Sequence, residues 1–430
     1  MKLRYTIILY IAAVFLMASC SDLPEKTPAQ RLSTADADAS GPYFTHDNKD
    51  NPVLCWTEKD PSDSLYRLKY AVYDVQNNQF LDPVTVTPSR GSNATAESMS
   101  KIAFKADGSI IAVFGKRFEN EKNPYAGAIY YSMSADEGKN WSEPQFLHSD
   151  TVHTYGRSFF DIATLKDGEV AAIWLDGRFG KAEKGSALFF AKTTKGAGFG
   201  LDQLLDKSTC ECCRTELLVD QTGKIHVAYR SIRYPEALLG KQARDMAYLF
   251  SADNGQTFSE SKIISNDHWA IEGCPHTGPS LAADKNGLHA LWFTAGGNSG
   301  LYFSTASEGG RFSPRTLLSA EGRHPQMCSL ANGRLALVWE EDKGAHHPAG
   351  NEHGNHQQQM GGHNHPAAAT ASGISLRIIH PGKEDKNIAL SDGKQADHHA
   401  VISPLSKNLL GAWVREENGR SAVYYSRVKL

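Results

Sequence analysis

The chain carries little excess charge of either sign, few cysteines and, after its first twenty residues, no long apolar run. Its 45 Lys and Arg against 48 Asp and Glu leave a net charge of −3. That is no basic footprint, and it excludes nucleic acid as an expected partner. Nothing beyond the N-terminal leader is apolar for the roughly 20 residues that a spanning helix takes. Of the seven cysteines, Cys20 belongs to the leader. Cys55 and Cys328 sit in apolar strand-like runs and read as buried thiols. Cysteine chemistry therefore rests on four residues: Cys210, Cys212, Cys213 and Cys274.

The leader reads as a processing signal over residues 1–19. Lys2 and Arg4 give a charged start, residues 7–16 an apolar core too short for a permanent span, and Met17, Ala18, Ser19 and Cys20 follow. That ending resembles a bacterial lipobox. The resemblance implies cleavage before Cys20, a lipid on its sulfur, and a lipid membrane as partner. It places the protein in the cell envelope, on the outer membrane, facing either the periplasm or the surface. Residues 20–29, with Pro24 and Pro28, are the lipidated cysteine and its tether. Export means an oxidising compartment.

From residue 30 to residue 430 one phrase recurs seven times: an apolar run, a tight turn, and a second apolar run holding a large aromatic. The aromatics are Trp56, Phe114, Trp174, Tyr229, Trp292, Trp339 and Trp413. Turn signals rich in Gly, Asn and Asp precede them, such as Asp107-Gly108, Asp167-Gly168 and Asn332-Gly333. These residues accept the positive φ of two-residue hairpins. A third alternating strand follows each aromatic. Repetition at this period predicts an all-β propeller of four-stranded blades, seven preferred and six as the fallback. The seventh repeat ends without a fourth strand. Residues 30–34 resemble the internal fourth strands, so the N-terminal strand is expected to close the last blade and remove an open edge. A closed ring on this scale is expected to be a monomer.

Two of the turns between third and fourth strands carry a more specific pattern. Ser134, Asp136, Gly138 and Trp141, and then Ser251, Asp253, Gly255 and Phe258, have the Ser-x-Asp-x-Gly-x-x-aromatic spacing. They resemble the Asp box of the sialidase-like (BNR repeat) superfamily, and residues 305–312 and 193–199 resemble worn copies. The box is structural: its Asp accepts backbone N–H groups, its Gly takes the left-handed conformation, and its aromatic packs between sheets. The resemblance covers residues 30–430. It implies, as one possibility, a glycoside hydrolase acting on an acidic sugar through three arginines, a Tyr–Glu nucleophile and an Asp acid/base. Here residues 41–45, where the first such arginine is expected, contain none. Asp161, Asp176, Glu216 and Glu272 remain as possible acid/base groups, and Tyr424 or Tyr425 as possible nucleophiles. Spacing fixes no pair among them.

The approach to the first strand of each repeat holds the most unusual residues. Arg157, Arg214 and Arg323 lie 15 to 17 residues before their repeat's aromatic, and Arg178 and Arg230 lie in the loops after the second strand. Both places open on one face of a propeller, where guanidinium groups suit an acidic glycan. Ion pairing to neighbouring carboxylates is the plainer reading. The same approach segments deliver Cys210, Cys212 and Cys213, then Cys274 and His276, then His324, then His398 and His399. Thiolate with imidazole suits copper or zinc. A disulfide and inert buried thiols stay open as alternatives. A His-rich tract over residues 343–372 is expected to be disordered and to bind metal by composition. The functional expectation is thus a membrane-anchored propeller with a Cys/His metal site on one face. The alternatives are a sialidase-like hydrolase or a non-catalytic glycan-binding propeller.

Overall fold

The structure, a computed structural model, describes residues 25–273, 275–307, 310–342 and 372–430. The leader, the lipidation residue Cys20, Cys274 and nearly all of the His-rich tract lie outside the described residues. Strands dominate, joined by turns and four short 3-10 segments. Among the described residues, no helix is long and apolar enough to cross a membrane.

The strands form as their patterning dictates. In Val170–Asp176 every residue is buried, because alternate side chains enter two different apolar layers. Val170, Ala172 and Trp174 pack with Ile111, Val113 and Ile129 of the preceding repeat. Ala171, Ile173 and Leu175 pack with Ile225, Val227 and Tyr229 of the following one. A strand sandwiched between sheets has no polar face to show. The turn expectations hold at the hairpins: Gly168 takes φ 80° and Asn332 takes φ 64°.

Each repeat folds as an antiparallel run of strands. Arg157–Thr164, Val170–Asp176, Ser186–Lys192 and Gln203–Thr209 make one four-stranded sheet. Five sheets of this size stand as separate blades, four with four strands and one with five. The expectation of seven separate blades is therefore corrected. The strands of the last two repeats form one eight-stranded sheet. The cause is local: Ser372 and Ala396 pair in parallel, joining two antiparallel runs at a single point. Apolar packing nevertheless continues between those two runs, with Val338 and Leu376 against Ile402 and Trp413.

The ring closes at the termini. Gln30–Arg31 pairs antiparallel with Arg420–Lys429, with Gln30 opposite Tyr425 and Arg31 opposite Tyr424. Tyr425 Oη donates to Gln30 Oε1 at 2.7 Å, and Arg31 Nη1 lies 2.5 Å from Glu417 Oε1. Trp56 and Ala71 of the first sheet share an apolar cluster with Leu410 and Val423 of the last run.

The Asp boxes are two copies of one geometry. Asp136 Oδ1 accepts from Asn140 N at 2.8 Å, and Asp253 Oδ1 accepts from Thr257 N at 2.9 Å. Gly138 (φ 85°) and Gly255 (φ 79°) are left-handed. Trp141 Nε1 donates to Gly138 O, and the Phe258 ring meets Phe190 edge-on. These aspartates serve turns, as the sequence pattern predicts.

Candidate functional site

The first strands of successive repeats touch one another in turn, and Ala39–His46 meets Ala396–Leu405 to complete the circle. They line the axis. In four of them the ladder slips at the same place. Pairing jumps between Ser40 and Tyr43, Ser158 and Asp161, Arg323 and Gln326, and His398 and Val401. Each slip sets two residues against one, which is a β-bulge. The single residue opposite is the repeat's own aromatic: Trp56, Trp174, Trp339 or Trp413. The first bulged residue is left-handed each time: Gly41 (φ 63°), Phe159 (φ 50°), His324 (φ 44°) and His399 (φ 50°). That conformation is uncommon for residues other than glycine. A bulge of this kind re-aims the side chain it carries. His276 has the same φ sign, at 49°, ahead of Ser280–Asp284.

Among the described residues, two groups of ligand-type side chains gather here. In the first, Cys210, Cys212 and Cys213 are all buried, and their sulfurs lie within 4.8 Å of one another. Cys210 Sγ is 3.6 Å from Cys212 Sγ and 3.5 Å from Cys213 Sγ. The turn forms where Gln203–Thr209 leaves its sheet, and Cys210 N is anchored to Arg230 O at 2.8 Å. Arg244 Nη1 sits 3.0 Å from Cys210 Sγ and 3.0 Å from Glu211 Oε2. The contacts with Cys212 and Cys213, and then the Arg244 and Arg230 charges, hold the Cys210 thiol well below its usual range despite burial. Burial pushes the Cys213 thiol up.

In the second group, Glu97, His324 and His399 bring three ligand atoms within 4.8 Å of one another. His399 Nε2 is 3.7 Å from Glu97 Oε1, and the His324 and His399 rings stack with centroids 4.4 Å apart. Glu340 supports both: Oε1 bonds His324 Nδ1, and Oε2 accepts from His399 N at 3.0 Å. Burial alone would lower the His324 pKa, but the Glu340 carboxylate prevails and pushes it up to about 9. Burial and the neighbouring His324 hold His399 well below the usual imidazole value. His398 stands behind His399, with Nδ1 to Nδ1 at 2.7 Å, and reaches Glu416 at 3.0 Å.

Among the described residues, the cysteines and the histidines fall into two groups, and Cys274 of the expected set lies outside those residues. Arg214, next to Cys213 in the chain, bridges them. Its Nη1 is 3.5 Å from Glu97 Oε1, and its Nη2 donates to Pro325 O at 2.9 Å. The other arginines have structural partners. Arg157 pairs with Asp176 and Asp150, and Arg178 pairs with Asp176 and Asp202 while lying over Phe189. Arg230 donates to the carbonyls of Arg244, Thr277 and Phe293. Arg323 is exposed and covers Phe293. Tyr424 and Tyr425 bond Glu417 and Gln30 at the closure, away from the axis.

Deeper along the axis a cavity of about 320 Å³ is lined by Tyr43, Lys101, Asp161, Arg214 and Glu216. Lys101 Nζ is 3.1 Å from Asp161 Oδ1. Burial, and then the Asp161 charge, pushes the Glu216 carboxyl up to about 7. Glu97 and Glu340 were not singled out from the sequence. Glu97 does carry a signal, standing seventeen residues before Phe114 in the register of the other approach residues.

Blade topology and the two Asp-box turns together define a β-propeller of mostly four-stranded blades. No family model and no curated relative matches the chain. Among solved structures, it is similar to the polysaccharide lyase Uly1 at 10% identity and a TM-score of 0.55, over 91% of this chain and 90% of that one. A protein of unknown function from Dyadobacter fermentans aligns at 15% identity and a TM-score of 0.48, over 77% and 94% of the two chains. Trypanosoma rangeli sialidase aligns at 11% identity and a TM-score of 0.45, over 82% and 56%.

Proposed function

We propose that this chain is a lipid-anchored envelope propeller that holds a thiophilic metal, copper or zinc, between Cys210, Cys212 and Cys213. One observation carries the reading: Cys210 Sγ stands 3.6 and 3.5 Å from the Cys212 and Cys213 sulfurs, and all three buried sulfurs lie within 4.8 Å of one another. Two thiolates on one tetrahedral zinc, each about 2.3 Å from the ion, stand roughly 3.8 Å apart. The spacing suits a common ion, and Arg244 offsets the negative charge that such a set accumulates. Cys20 supports the anchor through its lipobox-like context.

The test is metal analysis of protein purified without a polyhistidine tag. Copper or zinc should be present in the wild type and lost when Cys212 and Cys213 are changed to Ser. Absence of metal from the wild type, with these cysteines mapped into disulfides, would overturn the reading.

A second reading is that the propeller acts on a glycan carrying an acidic sugar. It is supported by the likeness to a polysaccharide lyase and by Glu216, a carboxyl that titrates near neutrality in a cavity with Asp161, Lys101 and Tyr43. Such a group is suited to general acid–base work. Depolymerisation of uronate- or sialate-containing glycans, abolished by Glu216→Gln, is the expected result.

A further inference from the structure

The rings of the second group are held from behind by carboxylates and by one another. Glu340 occupies Nδ1 of His324, so Nε2 is the nitrogen that a cation would meet, displacing its proton on binding. Glu416 Oε1 lies 3.0 Å from His398 Nε2 and holds that ring behind His399. His399 Nδ1 is taken up by His398 Nδ1 at 2.7 Å, so Nε2, 3.7 Å from Glu97 Oε1, is the nitrogen turned to the group. A carboxylate behind an imidazole, directly or through a second ring, is how metal-bound histidines are oriented.

Glu97 supplies the third donor and an independent sign of something missing. It is only 6% exposed, and its Oε2 has no hydrogen-bond partner among the described residues. A buried carboxylate oxygen left so is costly unless a cation meets it. His324 and His399 are both held in left-handed backbone, a strain that concentrates where side chains must be aimed.

We propose that Glu97, His324 and His399 form a second metal site, distinct from the cysteine site, for a first-row divalent cation such as zinc, iron(II) or manganese. Two imidazoles and one carboxylate fill three positions and leave the remainder open to the axis. The donor set is harder than three thiolates, so the two sites rank ions differently, zinc being the one that suits both. The proposal does not depend on metal at the cysteines.

The experiment is a Co2+ titration of the full chain, stripped with chelator and followed by absorbance. The wild type should show ligand-field bands without sulfur-to-cobalt charge transfer, in addition to any thiolate band. Glu97→Gln should lose the former alone, and Cys212→Ser/Cys213→Ser should leave it intact. Histidines of residues 346–365 contribute equally to wild type and variant, so the difference spectrum isolates the site. If Glu97→Gln fails to fold, His399→Gln, which keeps the Arg214–Glu97 pair, tests the same point. An unchanged spectrum in the folded variant overturns the proposal. So does loss of the same bands in the cysteine variant, which would mean one mixed site.

Discussion

Arg244 Nη1 lies 3.0 Å from Cys210 Sγ, inside a wall of buried sulfur. A charge-assisted hydrogen bond of this kind contributes about 1.5–3 kcal/mol. Arg244→Gln should therefore weaken copper or zinc retention roughly tenfold to a hundredfold, by the factor of ten per 1.4 kcal/mol. Competition with a chromophoric chelator measures it. Retention equal to wild type would mean that the guanidinium serves only Glu211.

Glu216 gives a pH dependence of stability with a definite sign. Its carboxyl is pushed from 4.5 up to about 7, so between those values the folded state holds a proton that the unfolded state has released. The contribution is present below pH 4.5 and is lost as pH rises through about 7. Glu216→Gln should raise the melting temperature more at pH 8 than at pH 5, and flatten the curve between them. Thermal melts across that range check it; an equal shift at both pH values contradicts it.

Closure of the ring depends on a short N-terminal strand. Deleting residues 25–34 removes the pairing with Tyr424 and Tyr425 and uncovers the outer edge of the last run. An unpaired edge of that kind recruits other chains. The truncated protein should melt several degrees lower, on the scale of 1 kcal/mol or more for a large domain, and should self-associate in light scattering. A monomer with wild-type stability would show that the strand is dispensable.

Gly138 tests the structural role of the Asp box. A Cβ there would come within 2.2 Å of Tyr70 Oη on the neighbouring sheet, at a φ of 85°. Gly138→Ala should cost more than about 1 kcal/mol in denaturant unfolding and leave metal content unchanged. Altered metal content in the folded variant would link the turn to the site.

Much of this fold is legible in the sequence because its signals are local. Asp167-Gly168 sits at a hairpin, and Trp174 sits where the second strand is buried on both sides. The shared sheet of the last two repeats is not legible, since it turns on one backbone pair between Ser372 and Ala396, whose side chains carry no mark of it. The cysteine group can be read because its members are neighbours in sequence. In the second group His324 and His399 are legible from their register, whereas Glu97, from the second repeat, and Glu340, within a second strand, are not singled out because carboxylates are common at such places. For Arg157 and Arg178 ion pairing is the plainer reading, and Asp176, shared between them, with Asp150 and Asp202 supplies it.

The bulges opposite the tryptophans give the axial wall an unusual freedom to change. A residue that lies out of register makes no ladder contribution, so exchanging its side chain leaves the flanking pairs of the strand in place. Glycine, phenylalanine and histidine already occupy equivalent posts around this one circle. Selection can therefore re-equip the pore one post at a time, with new chemistry limited mainly by which residues tolerate a left-handed turn.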